Sequence, residues 1–149
     1  MSITVVGHWE LGYSAPLTEL LLWAWPLREF AVEDWRMWPV SGVRNAESRS
    51  VTLTEFENID AALEGLSGTR VFVEPDNPSF PLDTVMLHKF EHPEDAIYIF
   101  GSNHFNPTVG RITDRDVALQ VPTVDNRGVL WAHQVMVTVL YDRLVKSWR

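Results

Sequence analysis

The side chains that chemistry could use in this 149-residue chain are few: five histidines, no cysteine, and arginines weighted toward one end. His8, His88, His92, His104 and His133 are scattered, and none shows the spacing of a metal motif, so no metal site is expected. Without cysteine there is neither a disulfide nor a thiolate ligand. A glycine-rich phosphate loop and a Gly-x-Ser-x-Gly elbow are both absent from the sequence. Charge is the remaining signal. The net charge of −8 argues against a nonspecific nucleic-acid binder, whose affinity rests on neutralising phosphates with Lys and Arg. The distribution is uneven, however: residues 1–75 carry eleven acids and five bases. From Arg111 onward, Arg111, Arg115, Arg127, Arg143, Lys146 and Arg149 outnumber Asp114, Asp116, Asp125 and Asp142. An anion would be met at that end, with Arg111 and Arg127 as candidates; a solvated surface explains the same charges.

The elements that must position such groups alternate between strand and helix. Ile3-Thr4-Val5-Val6-Gly7 reads as a buried strand. Leu17 to Trp25 reads as a helix, with Pro16 in its first turn and Pro26 as its stop. The segment DWRMWPV sets Trp35 and Met37 against Arg36 and Trp38, a strand ending at Pro39, and residues 41–50 read as a loop. Thr54 and Glu57 resemble a capping box opening a helix with Phe56, Ile59, Leu63 and Leu66 on one side, ending near Gly65 or Gly68. Strands are expected at Thr69–Glu74, Ala96–Gly101 and Asp116–Val121, with a proline-rich connection between the first two. Continuously apolar runs such as AIYIF imply a mostly parallel sheet with helices on both faces, an α/β domain spanning residues 1–149. Ligands in such sheets bind outside the carboxyl ends of the strands, so attention falls on the loops after Gly7, Gly101 and Val121.

The last segment is apolar nearly all round. Leu130, Gln134, Val137, Tyr141, Leu144 and Trp148 follow helical spacing, while Val135, Met136, Val139, Leu140 and Val145 form a second apolar side. One side can take the sheet and the other a second copy of the chain, so a homodimer through this helix is expected, using Val137, Tyr141 and Leu144. The seven tryptophans could stack on bases. Trp23, Trp25, Trp35 and Trp38 lie in apolar elements, which makes packing their expected use. No apolar run approaches the roughly 20 residues that a membrane helix needs, and the N-terminus lacks a secretory signature, so a cytoplasmic protein is the default expectation.

Three stretches, AIYIFGSNHF, VALQVPT and VLWAHQVMVTVLYD, together resemble the last third of the SPOUT-class RNA methyltransferases, in the branch that methylates ribose 2′-oxygens. Members of that branch show a strand ending Phe-Gly-x-Glu, a strand ending Ile-Pro-Met, then Ser-Leu-Asn opening a helix that ends Leu-Tyr-Glu. Phe100-Gly101-Ser102-Asn103, Val121-Pro122-Thr123, and Leu130 with Leu140-Tyr141-Asp142 stand in that order, over about residues 85–145. The resemblance implies a C-terminal trefoil knot, a homodimer, and S-adenosylmethionine held by Gly101, Ser102, Val121, Thr123 and Leu130. It implies ribose 2′-O-methylation of tRNA or rRNA as the activity.

The departures fall on the catalytic parts. Asn103 stands for the family Glu, and Val129 and Trp131 stand for the Ser and Asn of Ser-Leu-Asn. The family's N-terminal Asn-x-Gly-x-x-x-Arg has only Glu10-Leu11-Gly12-Tyr13-Ser14-Ala15-Pro16 as counterpart, which keeps the glycine and loses both the Asn and the Arg. Arg111 and Arg127 could substitute as the phosphate-positioning cation. The alternative is a catalytically degenerate dimer that keeps the fold as a binding or structural module.

Overall fold

A computed structural model describes residues 1–9, 16–41, 51–74, 83–102, 110–124 and 130–149. In chain order its elements are β1 (Ser2–His8), α1 (Pro16–Glu29), β2 (Asp34–Trp38), β3 (Thr52–Glu55), α2 (Ile59–Leu63), β4 (Thr69–Val73), β5 (Thr84–Met86), β6 (Asp95–Phe100), β7 (Val117–Gln120) and α3 (Ala132–Ser147). Among the described residues seven strands form one sheet in the order β3-β2-β1-β6-β4-β7-β5, and every neighbouring pair is parallel. The central strands are apolar on both sides because helices cover both faces. Val5, Trp35, Met37, Val71, Tyr98 and Phe100 pack under α1 and α3, while Val6, Trp38, Phe72, Ile97 and Ile99 meet α2. The α/β class expected from the sequence is the one observed, with the sheet parallel throughout.

Gly7 decides how closely α1 can approach. A β-carbon there would lie 2.6 Å from Met37 Sδ and 2.9 Å from the Trp23 ring, so a larger residue would force these side chains, and α1 with them, to give way.

Four expectations are corrected. Pro26 does not stop α1, which runs on to Glu29. Proline costs the helix one hydrogen bond, but full burial of Leu27 anchors the last turn, and the chain leaves the helix at Ala31 (φ 56°). Thr54 is not a helix cap: residues 52–55 pair with β2, and the helix starts later with Asn58 as its cap, accepting from the Ala61 amide at 2.8 Å. Strand β5 falls within the expected proline-rich connection and, at three exposed residues, is too short to show a pattern. The strand expected at 69–74 ends at Val73.

Helix α3 buries Val135, Met136, Val139 and Leu140 in the larger core. Its other side carries half-buried Val137 beside exposed Tyr141 (55%) and Leu144 (39%). Among the described residues no helix is long and apolar enough to cross a membrane. The loop expected over residues 41–50 lies outside the described residues from position 42 on. The knot depends on the loops after Gly101 and Val121, whose residues 103–109 and 125–129 also lie outside them.

Candidate functional site

All strands being parallel, their carboxyl ends face one way. From β1 the chain goes to β2 on one side; from β6 it passes β4 to reach β7 on the other. The winding of the sheet reverses between β1 and β6, and open parallel sheets take their ligands at such switch points. His8 and Ser102 stand on its two sides, with His8 Nδ1 and Ser102 Oγ 2.9 Å apart. Alternation along β1 puts Thr4, Val6 and His8 on the α2 face, where His8 meets its register partner Trp38; their ring centroids are 4.2 Å apart.

Beyond the switch point, β6, β4 and β7 are consecutive, so Gly101, Glu74 and Val121 follow one another along the rim. Glu74 adopts a left-handed backbone (φ 54°) in which its amide still donates to the Leu119 carbonyl at 2.8 Å. Its side chain then turns back and Oε1 accepts the Val121 amide at 2.9 Å. The carboxylate thus replaces the next carbonyl of the ladder, and β4 parts from β7 at this point. A second carboxylate braces the neighbouring ends: Glu55 Oε1 accepts from Trp9 Nε1 at 3.1 Å and from the amide and hydroxyl of Ser41 at 3.0 and 2.5 Å.

The first turns of α1 and α3 flank this rim because both helices follow strand ends. There Glu19 Oε1 lies 3.5 Å from His133 Nε2. His133 Nε2 makes no hydrogen bond among the described residues, and burial lowers the pKa of its ring. Burial thus favours the neutral imidazole, and the pair is a contact between α1 and α3 despite its ion-pair distance.

The residues named from the sequence separate into groups. Gly101, Ser102 and Val121 share the rim, Thr123 is exposed just past it, and Leu130 is exposed on the approach to α3. Asn103, Arg127 and Val129 lie outside the described residues, and Trp131 is exposed at the start of α3. Arg111 sits in the segment entering β7. Its Nε meets Asp60 Oδ1 at 2.9 Å, and its carbonyl accepts from Arg70, the second residue of β4. That links it to the amino end of β4, away from Gly101 and Val121. Sequence reasoning passed over His8, Glu74 and Glu55. A signal existed for His8 and Glu74, since each stands where an apolar strand run ends.

No protein-family model matches the sequence, and no curated protein matches it. The fold does match solved structures. One is a candidate RNA methyltransferase from Bacillus anthracis (TM-score 0.73, 14% identity, covering 97% of this chain and 94% of that one). Another was solved to explain the 2-OH methylation of C/U34 on tRNA (0.73, 15%, 99% and 92%). A third is the SpoU methyltransferase AviRb from Streptomyces viridochromogenes in complex with AdoMet (0.71, 10%, 99% and 58%). The chain has the fold of these proteins.

Proposed function

We propose that the chain is a SPOUT-type methyltransferase of the TrmH-like branch, transferring a methyl group from S-adenosylmethionine to a ribose 2′-oxygen of tRNA or rRNA. What supports the reading is the meeting of Gly101, Ser102 and Val121 on adjacent strand ends, within a fold shared with RNA-methylating proteins. The whole chain acts as one domain, knotted at its C-terminal end and working in the cytoplasm.

When bound, S-adenosylmethionine supplies an electrophilic methyl group on a positively charged sulfur. The donor set suits it. The described rim residues Glu74, Gly101, Ser102 and Val121–Val124 offer backbone groups, hydroxyls and one carboxylate, and include no Lys or Arg to repel a cation. Gly101, Ser102, Val121, Thr123 and Leu130 hold the cofactor; Glu74 offsets its charge. Arg111 is engaged by Asp60, so Arg127 is assigned to the target phosphate. The exposed side of α3, with Val137, Tyr141 and Leu144, pairs with a second copy, and a monomer mass in light scattering would remove that dimer.

A second reading, a degenerate module that binds without catalysis, is favoured by Asn103 and Pro16 in place of the family Glu and Arg. The experiment is calorimetry with S-adenosylmethionine, followed by methyl incorporation from labelled cofactor into total RNA. Binding and labelling are both expected. Arg127→Ala should lower labelling roughly 30- to 1,000-fold, the scale of a lost electrostatic stabiliser. Binding without labelling supports the module, and no binding removes the enzyme.

A further inference from the structure

We infer that His8 is the proton acceptor for the hydroxyl that is methylated, and that Ser102 is its positioning residue. This rests on the proposed cofactor site and adds to it a proton acceptor for the transfer.

Position carries the inference first. His8 ends β1 at the switch point where the sheet changes direction, half-buried between Trp38 and Ser102. Among the described residues it is the one imidazole that ends a strand inside the sheet; His88 is exposed two residues past β5, the edge strand. His92 lies buried beside Tyr98 and Asp142, and His133 faces Glu19 from α3. Ser102 directly follows Gly101, so the group that touches His8 belongs to a loop assigned to the cofactor. One hydrogen bond therefore separates His8 from the methyl donor's binding residues.

Orientation comes next. The ring is fixed on two sides, by the Trp38 ring and by the 2.9 Å contact between Nδ1 and Ser102 Oγ. The inference requires one tautomer: Nδ1–H donates to Ser102 Oγ, which puts the basic lone pair on Nε2. This is the arrangement by which a third group orients a catalytic histidine. In the step, the acceptor oxygen bonds the methyl carbon as the carbon–sulfur bond breaks, with the electron pair going to sulfur. The hydroxyl proton passes to Nε2, and the imidazolium then returns it to water. Atoms and charge balance with no further reactant.

Three measurements on the full chain test this. The first needs no turnover: nitrogen chemical shifts of the His8 ring, read by long-range proton–nitrogen correlation, should show the neutral form protonated on Nδ1. A neutral ring protonated on Nε2 overturns the inference. The second uses charge as a ruler. Saturation with S-adenosylmethionine should move the midpoint of the His8 titration down by about one pH unit relative to saturation with S-adenosylhomocysteine, because only the former carries the sulfonium charge nearby. Equal midpoints place His8 away from the reacting centre and overturn it too.

The third is His8→Asn, whose amide can keep the bond to Ser102. Cofactor affinity and KM for RNA should stay within about threefold, while kcat falls roughly 10²- to 10⁴-fold and loses its dependence on an ionising base. An unchanged kcat overturns the inference and leaves the proposed methyltransferase standing. If the parent protein labels no RNA while the tautomer and the sulfonium effect hold, the RNA reading fails and His8 remains the base for another hydroxyl acceptor.

Discussion

The two ends of the sheet treat charge differently. At the amino end, ionic side chains close on one another or on carbonyls. Arg143, only 8% exposed, donates to the Pro93 and Glu94 carbonyls and to Tyr98 Oη. His92 joins Tyr98 to Asp142, and Lys146 returns to Asp142 and to the carbonyls of Leu87 and Phe90. Arg70 and Asp116 meet at 2.6 Å. This end locks α3 and the β7 lead-in to the sheet. At the carboxyl end the two carboxylates Glu55 and Glu74 accept from backbone amides, a hydroxyl and an indole. Partners of that kind brace the rim. Networks that close on themselves make a fastening; the rim carboxylates brace strand ends beside the residues proposed to hold the cofactor.

Removing a fastening should do the most damage. Arg143→Ala leaves two part-buried carbonyls and the buried Tyr98 hydroxyl without their donor, and should cost about 2–3 kcal/mol of stability, the scale of hydrogen bonds to a charged group left unmade. Urea unfolding measures it. A loss under about 1 kcal/mol, the scale of an exposed pair, would erase the distinction between the two ends.

The same network sets a pH dependence. Burial lowers the pKa of His92 against the opposing pull of Asp142, with Lys146 and Arg143 adding to the lowering. Below its ordinary value of about 6.5 the unfolded chain binds a proton that the folded chain refuses, so stability falls as the pH drops through that window. Buried His133 adds a term of the same sign. Asp116 acts later: burial pushes it up, but hydrogen bonds from Arg70 and Thr113 hold it below the usual carboxylate range, so its loss comes only below about pH 4. His92→Gln keeps partners for Tyr98 and Asp142 without the titration. It should flatten the slope of stability between pH 7 and 5 by up to about 1.4 kcal/mol per unit. Denaturation at stepped pH shows this; an unaltered slope would mean that His92 is not held neutral.

What the sequence disclosed followed the range of the interactions. Runs such as ITVV and AIYIF declare buried parallel strands because burial on both faces needs no distant partner to be read. The alternation around Trp35 and Met37 was equally local. Thr54 misled because its capping pattern is local while the β2 pairing that overrides it is not, and Pro26 misled because the burial of Leu27 is tertiary. The rim divides the same way. Gly101, Ser102 and Val121 sit in motifs of three or four residues, whereas Glu74 acts 47 residues away on Val121, and His8 acts 94 residues away on Ser102. Neither pairing has a signature along the chain.

The smallest expected change in stability, and the sharpest contrast, belongs to Glu74→Gln. The side-chain oxygen still accepts the Val121 amide, and the left-handed backbone at φ 54° is unchanged in kind, since Gln carries the same stem. What goes is the negative charge. Exchanging an ionised acceptor for a neutral one should cost under about 1 kcal/mol, because charged hydrogen bonds exceed neutral ones by roughly that amount. A fastening residue would stop there. A carboxylate at the edge of a site for a cation should also weaken the ligand: affinity for S-adenosylmethionine should drop roughly 5- to 10-fold, about what one partly screened charge contributes. Affinity for the neutral-sulfur product, S-adenosylhomocysteine, should drop less. Calorimetry with both ligands, at low and high salt, separates the effects. If both affinities fall equally and neither responds to salt, Glu74 acts only through Val121, and the carboxyl end is braced by the same kind of structural polar contact as the amino end.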